Sequence, residues 1–152
     1  DVPISMPLPA LAEIQLALQD AFERVTALNG PEMKRRMRTG TVATTDDRNW
    51  ELKAQSMYQQ LRQSRSIAID MESATIAANG FRFRVPYGTL LCVSDKPVHG
   101  ELKMRSIAND FYDKSVKQHL QIGMRALEIL LENGLSQLHS RKLRGFNEVI
   151  FR

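Results

Sequence analysis

The sequence predicts an α/β layered fold, on two observations. Short apolar runs, "SIAID" at residues 66–70 and "VPYGTLLCVSD" at 85–95, alternate with stretches whose apolar residues recur every three or four positions. The chain also has the means to bury a core: 152 residues, 43% hydrophobic and 25% charged, which is globular rather than disordered composition.

The elements follow in order. Residues 10–29 place Leu11, Ile14, Leu18, Phe22, Val25 and Leu28 on one helical face, and Asn29-Gly30-Pro31 supplies a stop. The loose alternation of Met33, Arg35, Met37 and Val42 predicts a strand that is polar on one side, followed by a loop at "TTDDRN". A helix over 51–63 points Leu52, Met57 and Leu61 inward. The strand "SIAID" leads into a helix of small residues, "ESATIAANG", closed by Gly80. The run at 85–95 is continuous enough for a strand covered on both faces. A long helix over 106–133 carries a stripe of Phe111, Tyr112, Val116, Leu120, Met124, Leu127, Leu130 and Leu131. The last eighteen residues, 135–152, form a polar, basic tail.

Several function classes are set aside. No apolar run is long enough to cross a bilayer, and "DVPISMPLP" lacks the regions of a signal peptide. A single cysteine, Cys92, rules out an internal disulfide and suits a reducing cytosol. No histidine or cysteine cluster has metal-ligand spacing, so neither a metal nor a cofactor is expected. The net charge is +4, with basic clusters at 34–38 and 139–144. Such clusters are ordinary solvated faces or sites for nucleic acid or phosphate. Nucleic-acid binding is disfavoured because the aromatic residues do not interleave with the basic ones.

In open α/β sheets, ligands gather beyond the carboxyl ends of the strands. Asp70, Glu72 and Asp95 all fall there. An ionised carboxylate only accepts hydrogen bonds, so Glu72 suits a cis-diol such as the 2′ and 3′ hydroxyls of a ribose. Taken alone, it is equally an ordinary first-turn helix residue. Asp95 ends an apolar strand, where a low-dielectric wall raises a carboxyl pKa and favours general acid work. Alone, it is equally a strand-end turn residue.

Together the segments resemble a family. "IDMESATIAANG" with "GTLLCVSDKP" resembles the ribose-binding and leaving-group segments of the nucleoside phosphorylase and nucleosidase superfamily, and "GTVATTDDRNW" its base-pocket loop. Within it, "MESATIAANGFRFRVPYGTLLCVSDKP" and the tail "LHSRKLRGFNEVIFR" are similar to the C-terminal part of the bacterial AMP nucleosidases. The resemblance implies a three-layer, nucleoside-phosphorylase-like mixed sheet flanked by helices, of which residues 1–152 form the C-terminal half. The implied reaction is hydrolysis of the N-glycosidic bond of AMP. Asp95 would protonate adenine N7, with Ser94 nearby in the purine site. Glu72 would hold the ribose diol, Met71 would pack on the nucleoside, and Trp50, or Asn49, would lie against the base. Asp70 stands where some relatives also have a carboxylate, without an assigned role.

The family's phosphate-binding glycine and arginine segments lie upstream, and no such turn precedes residue 40, so the chain alone is expected not to turn over AMP. A cytoplasmic homohexamer is implied, with no membrane partner. The basic tail is a surface face, a subunit contact, or, through Arg141, Lys142 and Arg144, a source of charge for the 5′-phosphate. His99 is a solvated loop residue or an aid near the leaving group, and His119 a packing residue. Two other functions fit the same motifs: a phosphorolytic purine nucleoside phosphorylase, and a non-catalytic nucleotide-binding module.

Overall fold

The computed structural model describes residues 6–94, 105–134 and 138. The described elements run α1 (Ala12–Thr26), α2 (Gly30–Arg36), β1 (Val42–Thr44), a 3₁₀ turn (Trp50–Lys53), α3 (Ala54–Ser64), β2 (Ala68–Asp70), α4 (Ser73–Phe83) and α5 (Arg105–Glu132). β1 and β2 form a two-stranded parallel sheet in which Val42, Ala43 and Thr44 face Ala68, Ile69 and Asp70. Parallel strands need a crossover, and the 3₁₀ turn with α3 supplies it. This is a partial α/β fold.

The main core is a helix pair. α1 packs along α5, and Ala17, Ala21 and Phe22 of the first meet Ile122, Ala126 and Ile129 of the second. Ala21 is fully buried and Ala126 is 3% exposed. Methyl-sized side chains on both helices leave room for close packing, and Phe22 and the two isoleucines supply the bulk of the same cluster. Leu18, Val25, Leu28 and Leu90 seal the edge.

α1 ends before the expected Asn29-Gly30-Pro31 stop. Ala27 turns left-handed at φ 56° and its N–H bonds Glu23 O at 2.8 Å. Thr26 Oγ1 donates to Phe22 O. Of the strand expected from Met33, Arg35, Met37 and Val42, only Val42 lies in one, at the start of β1; Met33 and Arg35 belong to α2, which Met37 caps. Pro31 opens it, Glu32 sits in its first turn and Lys34, Arg35 and Arg36 in its last, which suits the helix dipole at both ends. Met33 and Met37 are four residues apart, so on a helical turn both reach the same core.

Leu52 was expected inward and is 86% exposed. It lies in the 3₁₀ turn, whose three-residue period carries it off the face shared by half-buried Met57 and Leu61.

α4 runs through Gly80 and ends at Phe83, where Arg84 turns left-handed at φ 56°. Gly80 serves packing rather than termination: the Tyr87 ring lies where its Cβ would stand. Tyr87 is itself buried, with its hydroxyl donating to Pro9 O at 2.8 Å. Alanine is the better helix former by about 1 kcal/mol. Gly80→Ala is nevertheless expected to destabilise, because forcing a methyl under a held ring costs about 1–3 kcal/mol. A drop in the urea midpoint at unchanged m would show this, and a rise would contradict it.

The run 85–94 is not a strand. None of the described residues pairs with it, and Val85, Leu91 and Val93 are 57%, 38% and 55% exposed. An apolar strand is stabilised only by neighbours that accept its ladder bonds and cover its faces. It is held instead by Leu90, which packs on the helix pair and accepts a 2.8 Å bond from His119 Nε2 of α5.

α5 holds its expected place, but of the described stripe residues only Leu130 packs on the core and the others face outward. Val116, Leu120, Met124, Leu127 and Leu131 are 54–64% exposed, and Ile122, Ala126 and Ile129 take the core. At 100° per residue, the two sets lie about 150° apart, on nearly opposite sides of the same helix. α5 therefore has two apolar faces, a pattern proper to a helix covered on more than one side. The Phe111 and Tyr112 side chains lie outside the described residues.

Candidate active site

β1 and β2 run side by side in the same direction, so their carboxyl ends emerge together. The loop Thr45–Asn49 leaves one, and Met71-Glu72 leaves the other before α4 begins. This is where an open parallel sheet receives ligands.

The loop after β1 is organised by Asp47. Its Oδ1 accepts from the Asn49 amide at 3.0 Å, its Oδ2 from Lys53 Nζ at 2.9 Å, and its own amide donates to Thr45 Oγ1 at 3.2 Å. Trp50 N bonds Asp47 O at 3.1 Å, which sets the half-buried indole at the head of the 3₁₀ turn. The Lys53 bond, with the Asn49 amide second, holds the Asp47 carboxyl below its usual range, and Asp47 in return raises the lysine. The carboxylate's share of stability is thus present above the usual aspartate range and lost as pH falls through the lowered value.

The seam after β2 is bound by Asp70. Its Oδ1 accepts from Thr44 Oγ1 at 2.6 Å across the sheet, and its Oδ2 accepts the Ser73 amide at 2.8 Å together with the Ser73 hydroxyl. Thr44 Oγ1 in turn accepts the Ala74 amide at 3.0 Å, and Asp70 O accepts the Thr45 amide at 3.0 Å. The first two amides of α4 are thereby satisfied by side chains from two different strands. Ser73 is buried as a result, at 9% exposure.

Glu72 occupies the N-cap position of α4, at φ −126° and ψ −30°, and its side chain caps nothing. The residue is exposed, and among the described residues its Oε2 accepts only a 3.2 Å bond from the adjacent Met71 amide. Met71 is 41% exposed beside it. Of the residues expected in the site, Met71 and Glu72 thus stand together at the end of β2, and Trp50 opens the 3₁₀ turn that follows the loop from β1. Ser94 is exposed at the end of the 85–94 run. Asp95, His99, Arg141, Lys142 and Arg144 lie outside the described residues. Thr44 and Ser73 are the polar partners that the sequence reading overlooked. The signal for Ser73 was present, since an aspartate three residues ahead of a helix-start serine is a capping spacing; nothing in the sequence marks Thr44.

Residues 3–133 match the sequence profile of a family described as the Phosphorylase superfamily. The chain belongs to the phosphorylase superfamily. Within this superfamily it is 58% identical over 151 residues to a protein of Escherichia coli strain K12 named AMP nucleosidase, and equally to the protein of that name from Escherichia coli O157:H7. Each alignment covers 99% of this chain and 31% of the relative, so the chain spans about a third of the length of the curated relatives it matches. Both superfamily motifs, at 69–80 and 88–97, fall inside the matched region.

Proposed function

We propose that this chain supplies the ribose-holding and purine-protonating portion of a site that hydrolyses AMP to adenine and ribose 5-phosphate. The observation that carries the reading is Glu72: an exposed glutamate at the carboxyl end of a parallel strand, standing in a helix-cap position without capping. Its two oxygens accept the 2′ and 3′ hydroxyls, and its negative charge lies close to C1′ as positive charge develops there. Asp95 delivers a proton to adenine N7 while the C1′–N9 bond breaks and its electron pair passes to the ring. Water adds its oxygen to C1′, and the proton it releases passes through solvent to the Asp95 carboxylate, which restores the acid. Met71 packs against the nucleoside, Trp50 against the base, and Ser94 bonds in the purine site. The phosphate-binding segments belong to the remainder of the domain. The names and the 58% identity of the two relatives support AMP as the substrate.

The test is Glu72→Gln in a full-length protein carrying this segment, with AMP as substrate and 2′-deoxy-AMP as competitive inhibitor. A hydrogen bond to a charged group is worth about 1.5–3 kcal/mol, so kcat/KM for AMP falls roughly 10- to 100-fold. The inhibition constant of 2′-deoxy-AMP moves far less, and the preference for the ribonucleotide shrinks. Equal losses on both nucleotides would contradict the diol reading. Release of ribose 5-phosphate without added phosphate distinguishes hydrolysis from phosphorolysis.

A further inference from the structure

We propose that Asp70, acting with Thr44, is a positioning residue for Glu72: it occupies the first amides of α4 so that the neighbouring carboxylate stays free for the ribose. The proposal rests on the diol-binding reading of Glu72 given above.

A helix start presents amides that require acceptors, and it attracts negative charge. The residue in the cap position usually provides the acceptor from its own side chain. Here that residue is Glu72, and left to itself it would be drawn onto the amides of Ser73 and Ala74. Those amides are already taken, the first by Asp70 Oδ2 at 2.8 Å and the second by Thr44 Oγ1 at 3.0 Å. Asp70 also accepts the Ser73 hydroxyl and, at 2.6 Å, the Thr44 hydroxyl, so the two caps are joined into one network. Among the described residues, Glu72 is left with a 3.2 Å bond from the Met71 amide. Two carboxylates two residues apart thus divide two tasks: one caps the helix and the other is held ready for ligand.

If Asp70 is removed, the Ser73 amide loses its acceptor and Thr44 loses the partner that holds it on the Ala74 amide, and Glu72 is the adjacent carboxylate. A carboxylate that is free only a tenth of the time binds about tenfold more weakly, because the apparent constant scales with the competent fraction. The loss falls on the hydroxyls that Glu72 contacts. In a full-length protein carrying this segment, Asp70→Ala is therefore expected to raise KM for AMP about tenfold, with a smaller change in kcat. The preference for AMP over 2′-deoxy-AMP, read as KM against the competitive inhibition constant, falls by a similar factor. Asp70→Asn, which keeps an acceptor for Ser73, restores most of the preference. Thr44→Val keeps the strand's shape but frees the Ala74 amide, and loses preference in the same direction. It also carries the test if Asp70→Ala fails to fold. In Asp70→Ala combined with Glu72→Gln, the preference falls no further than in Glu72→Gln alone, since both act through one group.

The positioning role is overturned if Asp70→Ala and Thr44→Val weaken AMP and 2′-deoxy-AMP alike while Glu72→Gln still abolishes the preference. That pattern would leave Asp70 a merely structural cap. If Glu72→Gln itself leaves the preference intact, or the unsubstituted protein has none, the diol reading and the positioning role fall together.

Discussion

Asparagine in place of Asp95 is expected to lower kcat for AMP hydrolysis by about 10²–10⁴-fold, while KM changes little. The basis is the leaving group. Expelling adenine as an anion is costly, and a proton placed on N7 in the transition state removes much of that cost; general acid catalysis typically contributes such a factor. Each tenfold corresponds to about 1.4 kcal/mol, so one proton accounts for about 3–5 kcal/mol of the barrier. Asparagine keeps the size and a hydrogen-bond donor but has no proton to give, so binding survives and chemistry does not. The measurement is steady-state kinetics on a full-length protein carrying this segment, followed across pH. The limb of the rate profile that reports the acid disappears with the variant. A kcat within a few-fold of the parent's would show that the proton comes from elsewhere.

The second large effect is on stability. Phe22→Ala is expected to cost about 3–5 kcal/mol, because the ring lies in the contact between α1 and α5 at 8% exposure and its loss leaves a void that rigid neighbours fill poorly. A domain of this size has about 5–15 kcal/mol in total, so the variant should sit near its unfolding midpoint under mild conditions. Urea or thermal unfolding, read by helical circular dichroism, checks it. A change below 1 kcal/mol would mean that the helix pair is not what holds the chain together.

These expectations differ in how directly they could be read from the residues. α1 was legible because its stripe of Leu11, Leu18 and Phe22 is regular and single-sided, although its tightest contacts, Ala17 and Ala21, carry little hydrophobic signal. α5 was legible as a helix but not in its orientation. With apolar residues on two sides, periodicity cannot say which set meets α1, and the buried set includes Ala126, whose hydropathy signal is weak. The run 85–94 misled because an apolar sequence states only that a segment must be covered. It does not say what covers it. α2 misled for another reason: a short helix and a polar strand both tolerate methionines among arginines, and Pro31 with Glu32 was the better guide.

The candidate site shows the same division. Met71 and Glu72 could be singled out by type and by their place at a strand end, since a carboxylate there suits a diol whatever surrounds it. Asp70 was visible but had no role, because its partners are contributed by tertiary structure: Thr44 lies 26 residues away in sequence and meets it only once two strands pair. Pairwise contacts of this kind are absent from any local pattern.

The Thr44–Asp70 bond has a consequence for assembly as well. Each strand is only three residues long, and a ladder that short specifies its alignment weakly. Thr44 and Asp70 stand directly opposite one another. A slip by one residue would turn the aspartate to the other side of the sheet, and a slip by two would leave it without its hydroxyl. One polar pair at the rim thereby selects a single in-phase arrangement of two strands too brief to choose it for themselves.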